Sequence, residues 1–484
     1  MTSATPPSSG GANSQRARAA AALRSGGIPL LILGLVTVLI GVDFVPLPEG
    51  VSPDSVRTGI LVVFTIASWA MNLLPEPLTT LLFFLCAMLF HIAAPTTVFA
   101  GFATPTWWLV LGGTIVGIAI RTTGLGPRLG RLFFGRASGG YRYFIAMVVL
   151  ASVSLAFLMP STMGRVLLLV PIVMGLADRL GFTPGRTGRT GLIMATAMGS
   201  YLPSTAVLPA NVPNTVLMGA ADTLYGIKLQ YGSYLLLHFP VLGLVKGALL
   251  IWLICRLFPD TAEPQASASA TAPGRLSSGE GRLVLLLVLM LSLFASDFWH
   301  GISPAWVCLG AGLICLLPQS GLVSSKELQQ GLAIGPLFYV AGFLSLSAVI
   351  AQSGLGAWAG GGLLDLVGMT SDDPLGNIPL VAAIYAGIGL LTTLPGLPAV
   401  LTPLATEFSQ ASGLSIETLL KLQVPVFATV FIPYQSPPMM IAMLMGGAAM
   451  KDGLKLCLVM SAITIAVILP LDFAWWWLLG EFDG

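Results

Sequence analysis

Long apolar runs broken by short polar punctuation dominate the chain from residue 28 onward. A helix needs about 17 to 25 apolar residues to cross a bilayer. Candidate runs lie at 28–45, 59–74, 78–94, 106–122, 190–218, 233–257, 282–299, 304–318, 334–353, 419–447 and 456–479. Two further stretches, 143–178 and 379–406, are apolar but interrupted midway by Pro, Gly, Ser or Thr. The pattern predicts an all-α polytopic membrane protein with about 11 transmembrane helices and two re-entrant hairpins.

Charge decides how these runs are threaded, because cytoplasmic loops carry the excess of Lys and Arg. Arg16, Arg18 and Arg24 precede the first run and place the N-terminus inside. Arg128, Arg131, Arg136 and Arg142 precede the first broken stretch, and Arg179, Arg186 and Arg189 follow it, so it enters and leaves on the cytoplasmic side. The span 190–218 then goes out and 233–257 returns. A Ser/Ala/Pro-rich linker, 259–281, lies inside with Arg256, Arg275 and Arg282 around it. In the second half Lys326 falls inside and Asp365, Asp372 and Asp373 outside, so the second broken stretch enters from the outer face. Lys451 and Lys455 return inside, and the chain ends outside at Trp475-Trp476-Trp477, an interfacial aromatic anchor.

The resulting organisation has four parts. Residues 1–27 form a polar, disordered cytoplasmic tail. Residues 28–258 hold the first helix and a first repeat with hairpin 143–178, 259–281 is the linker, and 282–484 is a second repeat with hairpin 379–406. The segments LGGTIVGIAIRTTGLG (111–126) and AGFLSLSAVIAQSGLG (341–356) align without gaps at Gly112/Gly342, Ile120/Ile350, Gly124/Gly354, Leu125/Leu355 and Gly126/Gly356. Each copy precedes a hairpin, and each hairpin precedes a Pro-interrupted span carrying ANVPN (210–214) or YQSPP (434–438). Equivalent elements face opposite sides by charge, which is the inverted-topology pattern of secondary transporters.

Composition narrows the function classes. The 484 residues are 55% hydrophobic and only 9% charged, against roughly 25% in soluble domains. The net charge of +2 implies no nucleic-acid partner. The run 28–45 lacks a small-residue cleavage site and is too long for a signal-peptide core, so it is expected to stay as a helix. Cys86, Cys255, Cys308, Cys315 and Cys457 show no CxxC spacing and read as packing residues, with no disulfide framework and no metal. His91, His238 and His300 are scattered and support neither a metal site nor a proton relay. No P-loop, nucleotide fingerprint or nucleophile–base pair stands out, so no enzyme activity and no cofactor are expected.

Candidate chemistry gathers at the polar breaks. At Met159-Pro160-Ser161-Thr162-Met163-Gly164-Arg165 the backbone leaves the helical ladder. Ser161, Thr162 and nearby free amides either bind an anionic group, helped by the following helix N-terminus, or form a kink with satisfied hydroxyls. Arg165 either pairs with a substrate anion or snorkels to the cytoplasmic surface. Thr392 and Thr393 open the second tip, Thr392-Thr393-Leu394-Pro395-Gly396-Leu397-Pro398, as further ligands or as a turn that only packs. The span 190–218 concentrates Ser200, Ser204, Thr205, Asn211, Asn214 and Thr215. Such groups supply donors to a carboxylate and acceptors to a small cation, or hydrogen bonds between helices. Asn211, Asn214 and Thr215 join the substrate candidates; Ser161, Ser204, Thr205 and Asn214 are the ion candidates. Lys246 is a second buried-charge candidate, and Arg121 is expected to snorkel.

The order of NLLPEPLTTLL (72–82), WWLVLGGTIVGIAIRTTGLG (107–126), MPSTMGRVLLLVPI (159–172), PANVPNTVLMG (209–219) and LPLDFAWWWLLG (469–480) resembles the divalent anion:sodium symporter family, within the ion transporter superfamily. The resemblance covers nearly all of the chain after the tail. It implies a homodimer whose scaffold supports a moving transport domain, an elevator that carries dicarboxylates, citrate or sulfate with sodium as the coupling ion. The family's Ser-Asn-Thr triplet at each hairpin tip binds substrate carboxylates and helps coordinate sodium. Here the first tip has lost its Asn and the second keeps no triplet. Pro213-Asn214 matches the Pro-rich turn ending in Asn of the first broken helix, whereas Pro437-Pro438 loses that Asn in the second. The expectation is therefore a secondary-active transporter of small anions in a bacterial inner membrane, with the guanidinium of Arg165 in place of sodium and transport independent of that ion. The alternatives are a carrier of another substrate on the same fold, or a membrane enzyme or channel.

Overall fold

A computed structural model describes residues 27–46, 52–70, 73–134, 140–159, 161–261, 276–353, 369 and 371–482. The tail, Pro160, most of the linker, Asp365 and the paired positions Gly354, Leu355 and Gly356 lie outside the described residues. The described secondary structure is helical. Among the described residues, seven helices are long and apolar enough to cross a membrane: Gly27–Phe44 (α1), Tyr141–Leu158 (α6), Tyr231–Leu257 (α10), Ser278–Ala295 (α11), Ile334–Ser353 (α13), Pro374–Leu391 (α14) and Met450–Leu478 (α19). The remaining apolar runs are shorter, less apolar or divided. Pro53–Ala70 (α2), Glu76–Leu89 (α3), Pro105–Thr122 (α4), Leu125–Phe134 (α5) and Pro304–Leu316 (α12) complete the surrounding frame. Bulky apolar side chains such as Leu150, Leu236, Trp252 and Leu285 stay exposed along these helices, as lipid contact requires.

Four breaks interrupt the helical pattern, and each has a local cause. In the first hairpin α6 stops at Leu158 because Met159, which precedes a proline, is extended (φ −124°, ψ 104°). Its second limb is Thr162–Arg179 (α7). The first divided span runs as Thr187–Tyr201 (α8), a tight 3-10 turn at Pro203–Ala206, an irregular stretch, then Val212–Tyr225 (α9). In the second hairpin α14 ends at Leu391, Thr392 is extended, and Gly396–Leu401 (α15) is followed by a turn at Thr402–Leu404 and by Ala405–Ser412 (α16). The Asp373 carboxylate caps the Gly376 amide at the start of α14, and Gly413 supplies the left-handed stop after α16 (φ 72°). The second divided span is Ile416–Phe427 (α17), a break through Ser436, and Pro437–Gly446 (α18).

Packing relies on small residues where backbones meet, as expected without a hydrophobic drive between helices in lipid. A Cβ at Gly112 of α4 would sit 2.6 Å from the Cys308 carbonyl oxygen of α12, and Gly312 approaches the Gly112 Cα at 3.1 Å from its own virtual Cβ. One apolar cluster joins α1, α2, α3 and α13 around Trp69, Phe83 and Phe343; a larger one surrounds the first hairpin and both divided spans. Among the described residues no group of His, Cys, Asp and Glu could hold a metal. Cys86, Cys308, Cys315 and Cys457 are buried thiols and Cys255 is half-buried.

A candidate anion site at two helix N-termini

The first hairpin and the first divided span each expose a helix start, and the two starts converge. Ser161 caps α7: its hydroxyl accepts from the Gly164 amide at 3.1 Å. Asn211 caps α9: its Oδ1 accepts from the Asn214 amide at 3.0 Å, while its Nδ2 donates to the Ser204 carbonyl at 3.0 Å. Ser161, Gly164, Asn211, Val212 and Thr215 line one cavity of about 130 Å³. The positive ends of two helix dipoles and three polar side chains thus face a single space, an arrangement that suits an anion.

The opposite wall is α4. Gly113, Gly117 and Arg121 recur every fourth residue, occupy one helix face and line this cavity. The two glycines leave the wall open, and exposed Arg121 brings a guanidinium to it. The i, i+4, i+8 spacing of these three residues was the available sequence signal. The snorkelling expectation for Arg121 missed the cavity because only the tertiary fold turns that face toward the hairpin.

Arg165 has a different place. It is fully buried (0% exposed) and does not line the cavity. Its Nη1 donates to the carbonyls of Met159 (2.5 Å) and Ala210 (2.9 Å), and its Nη2 to the Thr162 hydroxyl (3.0 Å) and the Ser200 carbonyl (2.8 Å). Ser200 and Ala210 lie on either side of the first break, so one guanidinium ties the hairpin tip to both edges of the divided helix. Arg165 therefore neither snorkels nor presents its four bonded donors to the cavity; only Nε has no partner.

The remaining candidates fall into two groups. Ser204 and Thr205 are buried and return their hydroxyls to the carbonyls of Tyr201 and Leu202. Asn214 Nδ2 donates to the carbonyls of Thr205 and Val207, both at 2.9 Å, leaving its Oδ1 buried without a partner. A small hard cation takes several oxygen ligands. At the first hairpin tip and break Arg165 engages three carbonyls and the Thr162 hydroxyl, so these oxygens already serve a bound cation, while the buried Asn214 Oδ1 has no hydrogen-bond partner. Thr392 and Thr393 are buried at the second tip, away from the first cavity. Thr393 lines a larger space of about 930 Å³ with Glu76, Leu390 and Tyr434, and Met163 of the first tip lines both spaces. Gln435 holds the second tip: its carbonyl accepts from the Leu394 amide at 3.0 Å and its Nε2 donates to the Gly389 carbonyl at 2.7 Å.

Residues 29–482 match the sequence pattern of the family described as "Sodium:sulfate symporter transmembrane region". The chain belongs to the sodium:sulfate symporter family. That family consists of membrane transporters and not enzymes. Among its relatives is the sodium-dependent dicarboxylate transporter SdcS of Staphylococcus saprophyticus, 22% identical over 457 residues, covering 87% of this chain and 86% of the relative. Another is dicarboxylate transporter 2, chloroplastic, of Spinacia oleracea, 25% identical over 349 residues, covering 69% of this chain and 61% of the relative. The solved YdaH transporter of Alcanivorax borkumensis overlays with a TM-score of 0.48 at 15% identity, covering 79% of this chain and 87% of that one.

Proposed function

We propose that this chain is a secondary-active carrier of small anions of the dicarboxylate, citrate or sulfate class, and that its first half works without a sodium ion. The observation that carries this reading is the buried guanidinium of Arg165, bonded to carbonyls on both sides of the first break, directly behind two helix N-termini that face one cavity. A fixed cation there supplies the positive charge and bridges the chain segments. The helix N-termini with Ser161, Asn211 and Thr215 receive the anion, and Arg121 draws it to the cavity by its field.

The threading inferred from charge completes this reading. It comprises about 11 spans and two re-entrant hairpins in two inverted repeats, N-terminus in and C-terminus out, in a bacterial inner membrane. Transport is elevator-like, a homodimeric scaffold supporting a moving body that carries both hairpins and both divided spans, with Thr392 and Thr393 contributing from the second tip. Exchange of labelled succinate, citrate or sulfate in proteoliposomes, compared in sodium and potassium media, tests the proposal. Saturable exchange at equal rates in both media is expected. No saturable anion exchange refutes the carrier reading, and strict sodium dependence refutes the role given to Arg165.

A further inference from the structure

The second divided span is held by side chains in the same manner as the first. At its break the carbonyls of Phe427, Ala428 and Val430 accept from the Tyr201 hydroxyl (3.0 Å), Lys246 Nζ (2.7 Å) and the Ser461 hydroxyl (2.8 Å). Lys246 is fully buried (0% exposed) on α10, and this carbonyl is its one hydrogen-bond acceptor. Nearby on α19 lies Asp472, equally buried, with both carboxylate oxygens lacking a hydrogen-bond partner. The helices that carry them pack on each other through the Trp475 indole and the His238–Trp476 ring contact. Buried His238 has no partner on either ring nitrogen, and Trp476, one turn beyond Asp472, has none on its indole N–H. The His238 ring stacks edge-on between Tyr234 (4.4 Å) and Trp476 (5.4 Å).

Five unpaired polar atoms in one buried cluster are far from the usual near-complete pairing of such atoms. Local backbone irregularity accompanies them. A π-helical turn at Phe239–Val245 runs directly into Lys246, and another at Thr464–Ile468 precedes Asp472; single π turns recur at functional sites. Pro240 deprives the Leu236 carbonyl of its helical donor, and the Trp475 indole supplies one at 3.1 Å, which docks α19 on α10. Chain order shows no proton relay because Lys246, His238 and Asp472 are separated by up to 234 residues and only helix packing gathers α10 and α19.

We propose that Asp472, Lys246 and His238 form a proton-binding site linked to the second break through the bond from Lys246 to the Ala428 carbonyl. The inference rests on the anion-carrier reading for its transport consequence. A carboxylate without donors at membrane depth is costly, and taking up a proton removes that cost. The proton leaves a hydronium ion on one side, adds to a carboxylate oxygen of Asp472 and is returned to water on the other. Lys246 keeps its ammonium and its bond to Ala428, so the loaded site carries one more positive charge, which offsets one negative charge of the anion. Of the other titratable groups on packed elements, Tyr234 meets the His238 ring, Tyr201 on α8 bonds the Phe427 carbonyl next to Ala428, Cys457 on α19 meets Met439, and Lys421 lies on α17. Lys421 is ion-paired with Glu417 and Glu481. Arg142, Arg189, Arg256, Lys451 and Lys455 sit at the cytoplasmic ends assigned by the charge pattern, and Asp297 at the other end accepts from the Tyr231 amide.

Two measurements on the full chain test this. Infrared titration of the detergent-solubilised protein should show a titrating carboxylic-acid C=O band that disappears in Asp472→Asn and returns in Asp472→Glu. In sodium-free liposomes with a trapped pH dye, uptake of succinate, citrate or sulfate should move protons inward, and the ratio of protons to anions should fall to the protein-free background in Asp472→Asn. Lys246→Arg, which keeps the cation, should shift the infrared titration without abolishing it. A band unchanged in Asp472→Asn, or a proton-to-anion ratio unchanged in that variant, overturns the proposal. If no anion is carried at all, the carrier reading fails and the infrared titration still decides the proton site.

Discussion

Replacing Arg165 with Ala removes one cation and the guanidinium bonds that tie the hairpin tip to both edges of the first break. The carbonyls of Met159, Ser200 and Ala210 lose the guanidinium, although Met159 keeps the Ser161 amide and Ala210 the Thr162 hydroxyl. Three charge-assisted bonds at about 1.5–3 kcal/mol each make a gross loss of about 4.5–9 kcal/mol. Relief from burying the guanidinium returns several kcal/mol of that, so the net loss is expected to be a few kcal/mol. The vacated carbonyls now offer oxygen ligands to a small cation. If the guanidinium stands in for sodium, Arg165→Ala should acquire sodium-specific stabilisation, about 2.7 kcal/mol when sodium reaches a hundred times its Kd. Thermal unfolding of the detergent-solubilised protein in sodium, potassium and choline chloride at equal ionic strength reads this directly. The wild type should be indifferent to the cation, the variant less stable in potassium and partly restored by sodium. Arg165→Lys should fall between, since an ammonium keeps the charge without the planar fork. A variant as stable as the wild type without sodium, or sodium stabilisation of the wild type that persists in the variant, would refute the reasoning.

Other positions make separate claims. Arg121→Gln should raise the apparent KM for anions and flatten the dependence of initial uptake on ionic strength, with little change in unfolding temperature, because Arg121 is an exposed charge at the cavity. Asn211→Ala removes the cap of α9 and the bond to the Ser204 carbonyl. A loss of about 1 kcal/mol for the cap and weaker anion binding by calorimetry are expected, with Asn211→Asp keeping the cap but repelling the anion. Gly112→Ala should lower the yield of folded protein in size-exclusion profiles, because its Cβ meets the backbone of Cys308 and Leu309 at 2.6–2.7 Å.

Much was legible without tertiary structure. The apolar runs, their polar interruptions and the Pro residues at 160, 203, 213, 395 and 437 mark where helices stop or begin, since an imino nitrogen and a restricted preceding residue act locally. Ser161 and Asn211 are visible as caps for the same reason: a short polar side chain satisfies the amides just ahead of it, whatever surrounds the helix. What chain order does not carry is which face of each helix meets which partner. Arg121 looked like a snorkelling charge, and packing turned it to the cavity with Ser161. Arg165 looked like a substrate ligand, and the approach of the first break enclosed it among carbonyls. Lys246 and His238 offered no joint chemistry until α19 brought Asp472 and Trp476 against them. Local backbone chemistry set the breaks; burial, which depends on long-range packing, decided which charges face a ligand and which replace one.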